Sequence, residues 1–307
     1  MSKALNSVLN LRDMQLLTAL DRHRHFARAA EATGISQPAF SARIRNLELD
    51  LGITIVNRGN RFRGFTEEGE IVLRWGQKML ADLEGLKQEV SAASGALTGT
   101  VSIGVVPTAL AFASALPARI GAAHPGLRLN IHSTTSDEIR RGLQNFTFSA
   151  GISYLEGRDP ALSETHLYEE TYLLVAPAGL VEDGQTEITW SEAARLPLCL
   201  LTPTMQNRRI LERIFAGQGV RPNAVTETNA LSVAWLQLRT GTTATIMPER
   251  TVSVQPSLPG TVTLRLTEPD ISRPIALLLP DRTPEPALHP VLKHHLQEEA
   301  RARSQPF

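Results

Sequence analysis

A run of ten mostly small residues, Ser91 to Thr100 (SAASGALTGT), divides this chain into two stretches whose hydrophobic periods differ. Before them apolar residues recur at the three-to-four spacing of amphipathic helices; after them, apolar runs of strand length alternate with helical stretches. The two patterns need different geometries, because a helix turns every 3.6 residues and a strand alternates every two. The chain therefore forms at least two units, joined through a glycine-containing hinge at 95–100. Its 307 residues agree, since a single core usually serves about 100 to 200.

Residues 11–90 read as almost wholly helical. Leu11, Met14, Leu17 and Leu20 mark one helix, and Phe26, Ala29, Ala30 and Ala32 a second, short one whose small residues permit close approach. Thr33-Gly34-Ile35-Ser36 is a stop followed by a start: Gly34 suits the left-handed position that ends a helix, and the Ser36 hydroxyl suits the cap of the next. Pro38 is harmless in that first turn, where its missing N–H has no intrahelical partner. In this third helix Phe40, Ile44 and Leu47 face the core, which leaves Pro38, Ser41, Ala42 and Arg45 outward. A small, polar face with one arginine fits a DNA major groove; an ordinary surface helix usually carries Glu and Lys there.

The formal net charge is zero, but it is unevenly distributed. From Arg22 to Arg63 there are eight arginines against three acids, a net of +5, which makes a phosphate-facing footprint where a uniform chain would have none. Two short strands are expected around the turn Asn57-Arg58-Gly59-Asn60-Arg61, a wing set beside the third helix. Thr66 then caps a long helix, with Glu67 and Glu68 in its first turn. Val72, Met79 and Leu86 recur every seven residues, with Leu83 and Val90 between and Gly76 as a defect, a seam that favours dimerisation over packing within one chain.

Beyond the hinge, strands are expected over 101–106, 127–132, 148–154, 172–176, 198–201, 244–247 and 275–279, with helices over 109–123, 137–144, 207–217 and 231–239 between them. Such alternation implies α/β layers whose ligand sites lie at the carboxyl ends of strands. Cys199, the single cysteine, lies in an apolar run and reads as a buried, inert thiol. No apolar stretch is long enough for a membrane span and the N terminus has no signal-peptide core, which points to the cytoplasm.

An enzyme is the alternative class, yet the chain has no HExxH, no GxSxG elbow and no phosphate-binding GxxxxGK[ST] loop. His294 and His295 are expected to face solvent; no metal ligands and no cofactor are expected. A purely architectural DNA binder would leave about two hundred residues of α/β structure unexplained.

Phe26-Ala27-Arg28-Ala29-Ala30-Glu31, Ser36-Gln37-Pro38-Ala39-Phe40-Ser41 and Ile44-Arg45-Asn46-Leu47-Glu48 closely resemble the helix–turn–helix signature of the LysR-type transcriptional regulators. The likeness continues through Leu51-Gly52, Arg58, Thr66 and Gly69, and more loosely through 103–108, His124-Pro125-Gly126, 173–177 and 219–222. Phe40 departs from the commoner Leu, Ile55-Val56-Asn57-Arg58 from Leu-Phe-Glu-Arg, and Ser149 from an acidic residue. The resemblance implies an α+β multidomain architecture: a winged helix–turn–helix (1–66), a linker helix (67–94), and a periplasmic-binding-protein-like effector domain (101–307). Its two α/β lobes span about 101–167 with 271–307, and about 168–270. It also implies a homotetramer, commonly a dimer of dimers, on double-stranded promoter DNA, with RNA polymerase as a candidate partner.

For DNA, the expected contacts are Gln37, Pro38, Ser41 and Arg45 at base edges or adjacent phosphates, and Arg28, Arg58, Arg61 and Arg63 on the backbone, with Ser36 opening the reading segment. For the effector, the resemblance points between the lobes, where Pro107, Thr108, Ser133, Thr134, Thr135, Ser153, Thr202 and Thr204 match ligand-contacting segments. Hydroxyls near helix N-termini suit a small anionic metabolite such as a carboxylate, although each taken singly serves equally as a helix cap.

Overall fold

In the computed structural model, which describes residues 10–57, 62–157 and 159–302, the chain separates into two units, Met1–Ala93 and Ser94–Phe307. The first contains α1 (Leu11–His23), α2 (Phe26–Ala32), α3 (Gln37–Leu51) and α4 (Glu67–Ala93). Met14, Leu17, Leu20, Ala29, Ala30, Phe40, Ile44 and Leu47 form its core, joined by Ile55, Val56, Phe65 and Leu73.

Gly34 ends the helical turn at φ +69°, and the Ser36 hydroxyl accepts from the Ala39 N–H at 3.4 Å, so the stop and start fall where the sequence put them. Thr66 caps α4, accepting from Gly69 N–H at 2.9 Å. Gly69 has no substitute there, because a Cβ would lie 2.0 Å from the Ile55 carbonyl oxygen.

The expected seam on α4 is revised. Gly76 is no defect: it is buried, and a Cβ would meet Met14 Sδ at 2.6 Å, so the glycine lets α1 and α4 approach. Val72 packs partly on the unit's own core. The apolar side chains left in solvent are Ile71, Trp75, Met79, Leu86 and Val90, each over 40% exposed.

The second unit has strands β1 (Gly99–Val105), β2 (Leu127–Ser133), β3 (Ala150–Tyr154), β4 (Leu162–Pro177) and β5 (Glu187–Thr189). They are followed by β6 (Leu198–Leu201), β7 (Ala224–Thr228), β8 (Thr245–Pro248), β9 (Thr261–Thr267) and β10 (Ser272–Pro280). Its helices are α5 (Leu110–Ala113), α6 (Leu116–Ala123), α7 (Ser136–Gln144), α8 (Trp190–Ala193), α9 (Gln206–Gly217), α10 (Leu231–Gln237), α11 (Glu249–Ser253) and α12 (Leu288–Ala302).

β1 lies between β2 and β3, parallel to both, and β10 runs antiparallel between β3 and β4. The long β4 serves two lobes. Leu162 to Thr171 pair with β10, whereas Tyr172 to Pro177 pair with β8 and β9. Parallel strands β6 and β7 form a separate ribbon in the second lobe, bridged to Ala244 beside β8. One helix expected over 109–123 is broken into α5 and α6, since Pro117 lacks the N–H that would bond the Ala113 carbonyl. β3 and most of β10 are buried, as strands covered on both faces must be.

Candidate DNA interface and effector cleft

Helix α3 turns Phe40, Ile44 and Leu47 inward, leaving Ser36, Gln37, Pro38 and Arg45 exposed and Ser41 half-buried on the opposite side. Arg28 on α2 and Arg63 are also exposed. Among the described residues, Arg28, Arg45 and Arg63 form no ion pair with a carboxylate, so their charge is free for phosphate. Arg43 is different: its Nε donates to the buried Asp13 at 2.6 Å and ties α3 to α1.

The wing arms meet in one antiparallel bridge, Val56 to Phe65, rather than in two extended strands. Asn57 N–H donates to the Gly64 carbonyl at 3.0 Å, and the Asn57 amide to the Phe65 carbonyl at 2.9 Å. Glu48, which the sequence reading left without a role, accepts from Ile55 N–H at 3.0 Å and Val56 N–H at 3.2 Å and anchors the first arm to α3. Phe62 stacks edge-on against Phe26 and Phe65, and Phe26 against Phe40, an aromatic chain that fixes the wing beside the helices. Arg58 and Arg61 lie outside the described residues.

Between the lobes of the second unit, Pro107, Thr108 and Thr135 line a cavity together with Val106, Ser136, Tyr154, Leu201, Met205, Gln206 and Asn207. Its free volume is about 10 Å³, the space of one water at most. The other expected hydroxyls do not line it. Ser153 is buried and donates to Ser136 Oγ at 3.0 Å, and Thr134 donates to the Glu138 carboxylate. Thr202 and Thr204 bond each other at 3.1 Å in solvent, and Ser133 is exposed. Thr135 accepts from Glu138 N–H and closes a capping box on α7, so its hydroxyl is committed as a cap.

A larger pocket of about 410 Å³ adjoins this cavity through Tyr154 and Gln206 and is also lined by Glu156, Ile210, Arg213, Arg273 and Pro274. Neither Arg213 nor Arg273 has a carboxylate partner among the described residues; Arg213 Nε donates to the Arg209 carbonyl and Arg273 to the Ser272 carbonyl. No motif marked these arginines. α9 brings one and β10 the other, sixty residues apart in sequence.

Behind the cavity lies a second group unmarked by sequence pattern. Tyr154 donates to the buried Glu170 carboxylate at 2.5 Å, is 2.9 Å from the Thr108 hydroxyl, and accepts from the Asn207 amide at 3.5 Å. Burial raises Glu170 from the usual carboxylate range to about 7, against the opposing Tyr154 hydrogen bond. The Arg250 guanidinium covers the Tyr168 ring at 4.2 Å close by. Cys199 is fully buried in β6, where burial pushes its thiol up.

A winged helix–turn–helix extended by a long helix, in one chain with a two-lobed α/β unit around a cleft, defines a ligand-responsive DNA-binding protein. Residues 11–70 match the bacterial regulatory helix-turn-helix protein family of the lysR type, and residues 94–301 match the LysR substrate binding domain. The chain belongs to the LysR family of DNA-binding transcriptional regulators. A hydrogen peroxide-inducible genes activator of Haemophilus influenzae is 25% identical over 282 residues, covering 88% of this chain and 90% of that protein. The Escherichia coli DNA-binding transcriptional dual regulator OxyR is 31% identical over 169 residues, 54% of this chain and 55% of its own length.

Among solved structures, a full-length OxyR from Pseudomonas aeruginosa superimposes with a TM-score of 0.76 at 20% identity over 96% of both chains. Full-length CbnR complexed with its target DNA gives 0.67 at 19% identity, over 96% of this chain and 99% of CbnR. At such identities the structural likeness establishes the fold. The named relatives are transcriptional regulators rather than enzymes. Among the described residues, no helix is long and apolar enough to cross a membrane.

Proposed function

We propose that the chain is a sequence-specific regulator that reads promoter DNA through α3 and the wing, and answers to a small anionic metabolite held between its lobes. The observation that carries the first half is the outward face of Gln37, Pro38, Ser41 and Arg45, free of acidic side chains and flanked by the unpaired Arg28 and Arg63. Gln and Arg make bidentate contacts to base edges, while unpaired arginines displace counterions from phosphate. Arg58 and Arg61 belong to the same proposed backbone set. The protein works in the cytoplasm, as a homotetramer built as a dimer of dimers, with RNA polymerase as its further partner at a promoter.

Support for the anion comes from Arg213 and Arg273, which face one 410 Å³ pocket contiguous with the closed cavity. The α9 N terminus, where Gln206 and Asn207 line that cavity, has no side-chain cap to occupy its N–H groups. Pro107, Thr108 and Thr135 remain candidate contacts as wall residues; Ser133, Thr134, Ser153, Thr202 and Thr204 would join only if the lobes shift. Although relatives are named for induction by hydrogen peroxide, peroxide reduction by a thiol needs an accessible thiolate, and the only cysteine here is buried with its thiol raised.

Selection of binding duplexes from a random library, followed by anisotropy with wild-type protein and the S41A/R45A variant, tests the DNA assignment. The variant should lose sequence selectivity and keep its helical content. Equal selectivity in the two proteins would refute the reading. For the effector, a thermal-shift series of mono- and dicarboxylates against the full chain should stabilise wild type and not R213A/R273A; anions that shift both alike would exclude this pocket.

A further inference from the structure

Helix α12 packs against α6 in the first lobe, and their contact gathers imidazoles that the sequence separates by 170 positions. His294, His295 and Glu298 each place one donor atom within 4.8 Å of the others. His294 Nε2 stands 3.6 Å from Glu298 Oε2 at i,i+4 spacing, the helical arrangement in which two side chains chelate one ion. The His295 ring sits 5.1 Å from that of His294 and 5.6 Å from that of His124, the residue that closes α6.

Contrary to the sequence expectation, His295 is not solvent-facing: it is 8% exposed, and its buried Nδ1 has no hydrogen-bond partner. A buried ring nitrogen without a partner is costly.

We propose that His294, His295 and Glu298 bind one divalent transition cation of the Zn²⁺ class where α12 meets α6. Two imidazoles with one carboxylate suit a borderline cation and poorly suit Ca²⁺ or Mg²⁺, which prefer all-oxygen sites. Arg119 does not preclude it. Its Nε and Nη2 both engage the buried Glu299 at 3.1 Å, while Nη1 reaches only one Glu298 oxygen, at 3.3 Å. That oxygen is Oε2, the one 3.6 Å from His294 Nε2, so a cation at the cluster takes Oε2 from Arg119, whose charge stays balanced by the buried Glu299. Tetrahedral donors stand roughly 3.4 Å apart around Zn²⁺, a contraction within reach of rotations at the exposed His294 and the half-buried Glu298.

Calorimetric titration of Zn²⁺ into untagged, chelator-treated full-length protein tests the site. Wild type should bind one Zn²⁺ per chain, with Ca²⁺ unable to compete, and H294A and E298Q should each weaken binding at least about tenfold with unaltered circular dichroism. H25A, in the DNA-binding unit, should bind as wild type. Undiminished binding by H294A, loss in H25A, or displacement by Ca²⁺ would each overturn the proposal.

Discussion

Glu170 lies on β4 just before that strand passes from one lobe's pairing to the other's, with Tyr154, Thr108 and Asn207 linking it to the cavity wall. Its pKa rises from 4.5 to about 7 on folding, so the fold favours the protonated carboxyl. The stability this contributes is complete below pH 4.5 and is lost as pH rises through 7. Denaturant unfolding at pH 5 and pH 8 should therefore show wild type losing on the order of 3 kcal/mol more than E170Q, whose neutral amide cannot ionise. Parallel pH profiles for the two proteins would show that Glu170 does not titrate in this window. At Cys199 the expectation is an absence of response: brief peroxide treatment should leave DNA affinity unchanged, and a peroxide-dependent change that disappears in C199A would contradict the reading of a buried, inert thiol.

At the scale of elements, α4 does two jobs on two faces. Inward, Gly69 and Gly76 let it lie against the Ile55 carbonyl and Met14, so G69A should destabilise the DNA-binding unit by about 1–3 kcal/mol, measured by thermal unfolding. Unchanged unfolding would mean the wing arm shifts freely. Outward, Trp75, Met79, Leu86 and Val90 leave an apolar stripe that suits a second copy of the helix. M79E/L86E should lower the mass seen by sedimentation while each chain keeps its helical content; an unaltered mass would place self-association elsewhere. The heptad pattern in the sequence already pointed at Met79, Leu86 and Val90. It misjudged Gly76 and Val72, because periodicity identifies an apolar face without saying which neighbour covers it.

For the whole molecule, operator affinity should fall steeply with salt, because Arg28, Arg45 and Arg63 are free to neutralise phosphate. A flat dependence between 50 and 200 mM salt would count against the footprint. By itself the sequence determined the two units, the helix stop and start at Gly34 and Ser36, the outward face of α3 and the burial of Cys199. Each depends on local conformation or on a period within one element. Tertiary structure alone decided that Glu48 anchors the wing. It likewise decided that Arg213 and Arg273 share a pocket, that Glu170 is buried beneath Tyr154, and that His124 meets His295. These depend on distances between separate elements, where no spacing rule applies and only the packing of one element on another sets which side chains meet.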